Sequence, residues 1–167
     1  DVDETPPRAM PPDALVSELA LRKCTAVACS HKDAVVIAAD TVVEIDGKIL
    51  GKPRDTEDAA GMLHALSGKT HRVYTGLAVC HKGKSAVRTV CTEVTFKPLD
   101  EVLLGFYLWS GEPLDKAGAY GIQGAGALLV EGIKGDYFNV VGLPLSALYD
   151  LLLKEFGINL FMEITRR

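Results

Sequence analysis

Two charged residues stand out in the stretch VVIAADTVVEIDGKILGKPRD, residues 35 to 55. Asp40 interrupts an apolar run, and Lys52 stands directly before Pro53. A carboxylate at the end of a buried strand is well placed to hold a metal ion or a water molecule. A residue before proline is restricted to extended backbone, so Lys52 could return across the intervening turn to face Asp40. Two other interpretations stay open, a turn-forming aspartate and a solvent-exposed lysine.

A second segment, DKAGAYGIQG at residues 115 to 124, surrounds Gln123 with glycines. Glycine lets the backbone approach a ligand closely, and the glutamine amide offers both a donor and an acceptor, which suits the edge of a nucleobase. The segment matches no established phosphate-loop pattern, so it is also compatible with a plain turn. Further along, KGDYFNVVGLP carries Asp136 and Asn139, and Asn139 is as suited to fixing its loop as to touching a ligand.

The elements around Asp40 follow from the hydrophobic pattern. Apolar residues spaced by three and four predict a helix from about Asp13 to residue 29, and Lys23 lies on it. The consecutive apolar residues 34 to 39 predict a strand that is buried on both faces and ends at Asp40. The pair Asp46 and Gly47 favours a tight hairpin, which would bring Lys52 back towards Asp40.

The rest of the chain continues the alternation of helices and strands. Helices are predicted from Thr56 to a cap at Gly68, from Asp100 to Gly111, and over residues 143 to 157. A second hairpin is predicted over residues 70 to 97, followed by a strand near residues 127 to 135. Because tight hairpins are antiparallel, a purely parallel sheet is excluded. The predicted fold class is therefore α/β, with a mixed β-sheet flanked by helices.

Composition limits the classes of function. The 167 residues are 48% hydrophobic and 24% charged, as expected for one globular domain. A net charge of −4 argues against a nucleic-acid-binding protein, so a negatively charged substrate would need a local basic cluster. The four cysteines match no zinc-binding spacing, and no apolar run is long enough to span a membrane. We expect a soluble, cytoplasmic protein with reduced thiols, without nucleic-acid or membrane partners.

Several stretches together resemble the Maf family of nucleoside triphosphate pyrophosphatases, which is related in fold to the inosine triphosphate pyrophosphatases. The matching stretches are DVDE, ALRK, AADTVV, ILGKP, LSGKTHRVYTG, KAGAYGIQG and NVVGLPL, in the family's order and spacing. The resemblance implies a single Maf-like domain over residues 1 to 167, with two lobes around a central cleft. Family members carry a strand and a loop resembling LASxSPRR upstream of DVDE, and we expect this domain without them.

The resemblance also implies roles for four charged residues. Asp40 matches the catalytic carboxylate, which acts as a general base or holds a metal-bound water. Glu4 matches a second carboxylate at the metal, and Lys23 and Lys52 match lysines that bind the triphosphate. Glu4 and Lys52 are counted, with Asp40, among the catalytic residues. Carboxylates and substrate phosphates suit Mg²⁺, with Mn²⁺ as an alternative.

Thr41 and Gln123 match positions that help to select the base. Their identities resemble the branch of the family that acts on dTTP, UTP and CTP, including modified pyrimidines. The expected reaction yields the monophosphate and pyrophosphate and removes unwanted nucleotides, and the resemblance also implies a homodimer. The alternative is a non-catalytic module that binds a nucleotide or a partner in connection with septum formation and cell division.

Overall fold

The computed structural model describes residues 10 to 165, which form one five-stranded sheet with helices on both faces. The strand order is β2-β1-β3-β4-β5. The strands are β1 (Val36–Ile45), β2 (Lys48–Leu50), β3 (Thr70–His81), β4 (Lys84–Phe96) and β5 (Val130–Lys134). The helices are α1 (Pro12–Ala28), α2 (Thr56–Leu66), α3 (Glu101–Trp109), α4 (Tyr137–Val141), α5 (Leu145–Phe156) and α6 (Leu160–Thr165). Three short 3₁₀ helices, Glu112–Asp115, Ala117–Ala119 and Gly124–Leu129, lie between α3 and β5.

The two predicted hairpins are confirmed. In the first turn Asp46 and Gly47 have φ angles of 52° and 77°, and in the second Lys82 and Gly83 have 48° and 79°. Left-handed backbone at both central residues belongs to the type I′ turn, whose twist matches that of the flanking strands. These turns make β1 antiparallel to β2 and β3 antiparallel to β4.

The predicted α/β class, with a sheet between helices, is also confirmed. The sheet itself differs from the mixed one expected, because every pairing between the described strands is antiparallel. The reason lies in the connections. Two of them are tight hairpins, and the longer ones, through α2 and through the 3₁₀ segments, also return the chain in the opposite direction.

The strand prediction around Asp40 was wrong in its end point. β1 does not stop at residue 39 but continues to Ile45, and Asp40 pairs with Gly76 of β3. Nor is the strand buried on both faces, since Ile37 is 40% exposed. β2 pairs only with residues 43 to 45, so the half of β1 that carries Asp40 has no outer neighbour among the described strands. A carboxylate is tolerated at such an edge, where its side chain can reach solvent or a ligand.

Helix α1 covers one face of the sheet. Its buried residues recur at helical spacing, as the sequence pattern predicted, and they are Val16, Leu19, Ala20 and Cys24. The helix approaches β3 very closely at Gly76, where an added Cβ would lie 2.1 Å from the carbonyl oxygen of Val16. Only glycine permits this contact. This close approach places the face of α1 that carries Lys23 next to β1.

The opposite face of the sheet holds two groups of buried side chains. Near β2, Val43, Ile45 and Val73 pack with Leu63 and Leu66 of α2. Towards the other end, residues 77 and 79 of β3 pack against the apolar side of α5. Between residues 10 and 165, no helix combines the length and the hydrophobicity that crossing a membrane requires.

Candidate active site

A cavity of about 690 Å³ opens at the edge of β1. One wall comes from α1 and β1, and the other from the segment after β2, the 3₁₀ segments near residues 112 to 124 and the end of α4. Lys23, Asp40, Thr41, Lys52 and Gln123 all line it. The structure therefore brings together five residues that the sequence selected, from segments up to a hundred positions apart.

A short charge-assisted contact in this cavity's wall joins Lys23 and Asp40. The Lys23 Nζ donates to Asp40 Oδ1 at 2.6 Å, and the two side chains are 28% and 11% exposed. Charge-assisted hydrogen bonds of this length are strong, and partial burial reduces their screening by water and salt. The pair places a fixed positive charge and an oxygen acceptor beside the open edge of the sheet.

Lys52 reaches the same cavity through the hairpin. β2 ends at Leu50, and the carbonyl oxygen of Gly51 accepts a hydrogen bond from the Gly118 amide at 2.9 Å. This bond ties the segment carrying Lys52 to the 3₁₀ segments of the same wall. Asp115 is close enough that its pKa is lowered, mainly by its hydrogen bond to Lys116 and further by the charge of Lys52. Lys52 and Asp40 thus line the same cavity from different walls.

Thr41 faces the other side of the sheet from Asp40, because side chains alternate along a strand. Its hydroxyl lies 2.8 Å from the hydroxyl of Thr75 on β3. The Thr75 hydroxyl donates in turn to the backbone carbonyl of Asn139 at 2.9 Å. The cavity consequently has a charged side at Lys23 and Asp40 and a second side at Thr41.

Asn139 fixes the loop rather than lining the cavity. Its side chain is fully buried, and its amide nitrogen donates to the Val73 carbonyl and the Thr92 hydroxyl, each at 3.0 Å. This settles the alternative that the sequence left open. Asp136 caps the start of α4 by accepting from the Phe138 amide at 2.8 Å. Both residues hold α4 against the sheet.

The loop that carries Gln123 is held by a carboxylate that the sequence did not single out. Glu112 accepts hydrogen bonds from the amides of Ala125 and Gly126, at 3.1 and 3.2 Å. Its Oε1 also accepts from the Tyr107 hydroxyl at 3.2 Å, and that hydroxyl accepts from the Gly121 amide at 3.1 Å.

Glu112 and Tyr107 thus satisfy backbone amides on both sides of Gln123. Burial raises the pKa of Tyr107, so its hydroxyl keeps the proton that it donates to Glu112. The sequence contains only an indirect indication that Glu112 supports this loop. A glycine-rich loop without regular structure leaves its amides in need of acceptors, and Glu112 precedes that loop closely.

Of the two predicted metal ligands, the structure describes Asp40, whereas Glu4 lies outside the described residues. Within residues 10 to 165 no three His, Cys, Asp or Glu side chains form a group that could hold a metal by themselves. Asp40 still fits a hard divalent ion, since Mg²⁺ is often bound through one or two carboxylates, several waters and the substrate phosphates.

Comparison with known proteins defines the class. Residues 1 to 155 match the family model described as Maf-like protein, and the chain belongs to the Maf family. A Moorella thermoacetica protein named dTTP/UTP pyrophosphatase is 52% identical over 165 residues, covering 98% of this chain and 84% of the relative. A Clostridioides difficile protein of the same name is 51% identical over 166 residues, covering 98% and 86%.

Proposed function

We propose that the protein is a nucleoside triphosphate pyrophosphatase that converts dTTP and UTP to the monophosphate and pyrophosphate. The observation that carries the proposal is the Lys23–Asp40 pair on the wall of a cavity that Lys52, Thr41 and Gln123 also line. The names of relatives about half identical in sequence support the same reaction and substrates. CTP and modified pyrimidine nucleotides are proposed as further substrates.

The charged side of the cavity suits attack of water on the α-phosphorus. Asp40 is proposed to position a water molecule and accept its proton as the new P–O bond forms and the bond to the β-phosphate oxygen breaks. Lys23 and Lys52 are proposed to neutralise the phosphate oxygens, and Lys52 also the charge that develops on the leaving pyrophosphate. Thr41 and Gln123 are proposed to contact the base.

A divalent metal ion is proposed as the cofactor, Mg²⁺ first and Mn²⁺ second. Asp40 and Glu4 would hold it, and when bound it would withdraw charge from the phosphate oxygens and lower the pKa of a coordinated water. The residues suit such an ion because phosphate groups of the substrate complete its oxygen shell.

Cytoplasmic nucleotide-pool cleaning and a homodimer complete the proposal. Exposed apolar side chains on α3 support an association between copies: Val102, Phe106 and Trp109 are 68%, 70% and 87% exposed. Covering such residues with a partner is favourable because it removes apolar area from water. Light scattering on the purified chain gives the mass directly, and a monomer at micromolar concentration would refute the dimer.

The test of the reaction is an assay of the purified chain with each nucleoside triphosphate and Mg²⁺ or Mn²⁺, followed by separation of the products. Monophosphate with pyrophosphate from dTTP and UTP is the expected result. Asp40→Asn should lower turnover by roughly two to four orders of magnitude while the protein stays folded. Asp46→Asn is the matched control, because Asp46 lies in an exposed turn that accommodates asparagine.

Two outcomes would contradict this function. Unchanged turnover in Asp40→Asn would remove Asp40 from the mechanism. Binding of nucleotides without turnover at either metal would favour the alternative, a nucleotide-binding regulator linked to septum formation.

A further inference from the structure

Three oxygen atoms form a hydrogen-bond chain behind the cavity. Thr41 Oγ1 lies 2.8 Å from Thr75 Oγ1, which lies 2.9 Å from the carbonyl oxygen of Asn139. A carbonyl oxygen can only accept, and a threonine hydroxyl has one proton to donate. Thr75 is fully buried, so placing its proton elsewhere would leave two oxygen lone pairs facing each other at 2.9 Å. Thr75 therefore donates to Asn139, and Thr41 donates to Thr75.

This direction decides what Thr41 can offer to a ligand. Its single proton is committed to Thr75, so the oxygen is left with the capacity to accept. Gly142 lies beside this oxygen, since a Cβ at that position would be in van der Waals contact with Thr41 Oγ1, at 3.6 Å. Gly142 has a φ of +113°, which disfavours any residue with a side chain there.

The surroundings of Thr41 suit a base better than a phosphate. Lys23 and Asp40 lie on the opposite face of β1, whereas apolar side chains from Ile122 and Val141 line the cavity with Thr41. Gln123 can present either its oxygen or its nitrogen after a half turn of the amide, so it does not by itself prefer one base edge. The buried hydroxyl chain, in contrast, leaves the Thr41 oxygen able only to accept a hydrogen bond from the base.

We infer that Thr75 is a positioning residue that makes Thr41 an obligatory acceptor for the imide N3–H of uracil or thymine. Cytosine carries a lone pair at N3, which would face the lone pair of Thr41. The inference rests on the proposed function and refines it, because it ranks CTP below UTP and dTTP among the substrates. Sites built to bond one donor reject ligands that lack it, since the buried acceptor then stays unpaired.

The test compares kcat/KM for UTP, CTP and 3-methyluridine triphosphate, in which a methyl group replaces the N3 proton. The unmodified chain should prefer UTP over both by tenfold or more. Thr75→Val removes the acceptor for the Thr41 proton, so the Thr41 hydroxyl can rotate and donate to cytosine. The ratio of UTP to CTP should then fall about fivefold to tenfold.

Two matched variants separate this role from a merely structural one. Thr75→Ser keeps the hydroxyl chain and should keep the ratio. Thr70→Val removes a different cross-strand hydroxyl bond on the same strand, 2.8 Å to Thr95, and should leave the ratio unchanged. Calorimetric binding of UMP and CMP provides a readout that needs no turnover and should show the same loss of preference in Thr75→Val.

The outcomes distinguish the inference from the function. If the unmodified chain hydrolyses neither UTP nor dTTP, the proposed function fails. Equal rates with UTP and CTP, or an unchanged ratio in folded Thr75→Val, overturn the inference alone. Should Thr75→Val fail to fold, the comparison on the unmodified chain decides, because equal rates with UTP and 3-methyluridine triphosphate refute the inference.

Discussion

The Lys23 ammonium lies 2.6 Å from Asp40 Oδ1, although the residues are 17 positions apart and belong to different elements. The contact depends on Gly76, the strand partner of Asp40, because α1 can approach the sheet only over a residue without a side chain. Helix, strand and glycine thus form one unit that sets the charged side of the cavity.

The pair should show strong energetic coupling. Removing one partner leaves a largely buried charge without its counterion, whereas removing both leaves none. In a double-mutant cycle of Lys23→Met and Asp40→Asn, we expect a coupling free energy of about 1 to 3 kcal/mol in urea unfolding. The control cycle is Lys69→Met with Asp46→Asn, an exposed pair at 3.1 Å. It should couple by less than about 1 kcal/mol, and equal coupling in both cycles would contradict the prediction.

Glu112→Ala should weaken substrate binding more than the chemical step. Without the carboxylate, the amides of Ala125 and Gly126 lose their acceptors and the loop carrying Gln123 loses its anchor. We expect KM for UTP to rise about tenfold, with a smaller change in kcat. Steady-state kinetics measure both, with Glu101→Ala as the control because Glu101 is 82% exposed on α3. A folded Glu112→Ala protein with the original KM would show that the anchor is dispensable.

Gly76→Ala should destabilise the fold and separate Lys23 from Asp40. The new Cβ would lie 2.1 Å from the Val16 carbonyl oxygen, which is backbone and cannot swing away. A loss of about 1 to 3 kcal/mol is expected in chemical denaturation, since overpacking forces the backbone to shift. Gly61→Ala is the matched control on α2, where nothing lies within 4 Å of an added Cβ. That variant should be more stable by roughly 0.5 to 1 kcal/mol, and similar behaviour of the two variants would refute the packing argument.

Stability should fall in mild acid because of His71. Burial lowers its pKa from 6.5 to about 4, so the folded protein keeps this imidazole neutral while the unfolded chain takes up a proton. The stabilisation is complete above pH 6.5 and is lost as the pH falls from 6.5 towards 4. The loss approaches about 3 kcal/mol, from roughly 1.4 kcal/mol per pKa unit.

Urea unfolding at several pH values tests this dependence on His71. His71→Phe should flatten the decline between pH 6.5 and 4, because the variant has no imidazole to protonate at this buried position. His64→Phe, on the exposed surface of α2, should decline as the unmodified protein does. If His71→Phe retains the full slope, other groups cause the acid lability.

The sequence by itself determined most of the strands and longer helices, the family and five of the residues that line the cavity. Hairpin turns at Asp46 and Lys82 follow from local backbone preferences, and amphipathic spacing is a local property of α1. Motif resemblance selected Lys23, Asp40, Thr41, Lys52 and Gln123 without any knowledge of distances. Local patterns and family resemblance suffice for such assignments because neither depends on how the elements pack.

Only the tertiary structure decided the antiparallel order of the sheet, the continuation of β1 through Asp40, and the supporting residues Thr75 and Glu112. These features depend on which segments become neighbours in space. In the sequence, Glu112 cannot be distinguished from an ordinary surface acid, and the structure alone shows that it accepts from the loop amides. Thr75 likewise resembles any strand threonine, and the structure alone places it between Thr41 and Asn139. The direction of a hydrogen bond depends on which acceptors lie next to the donor in the folded protein. Those acceptors are distant in the chain, so the sequence alone does not reveal the direction.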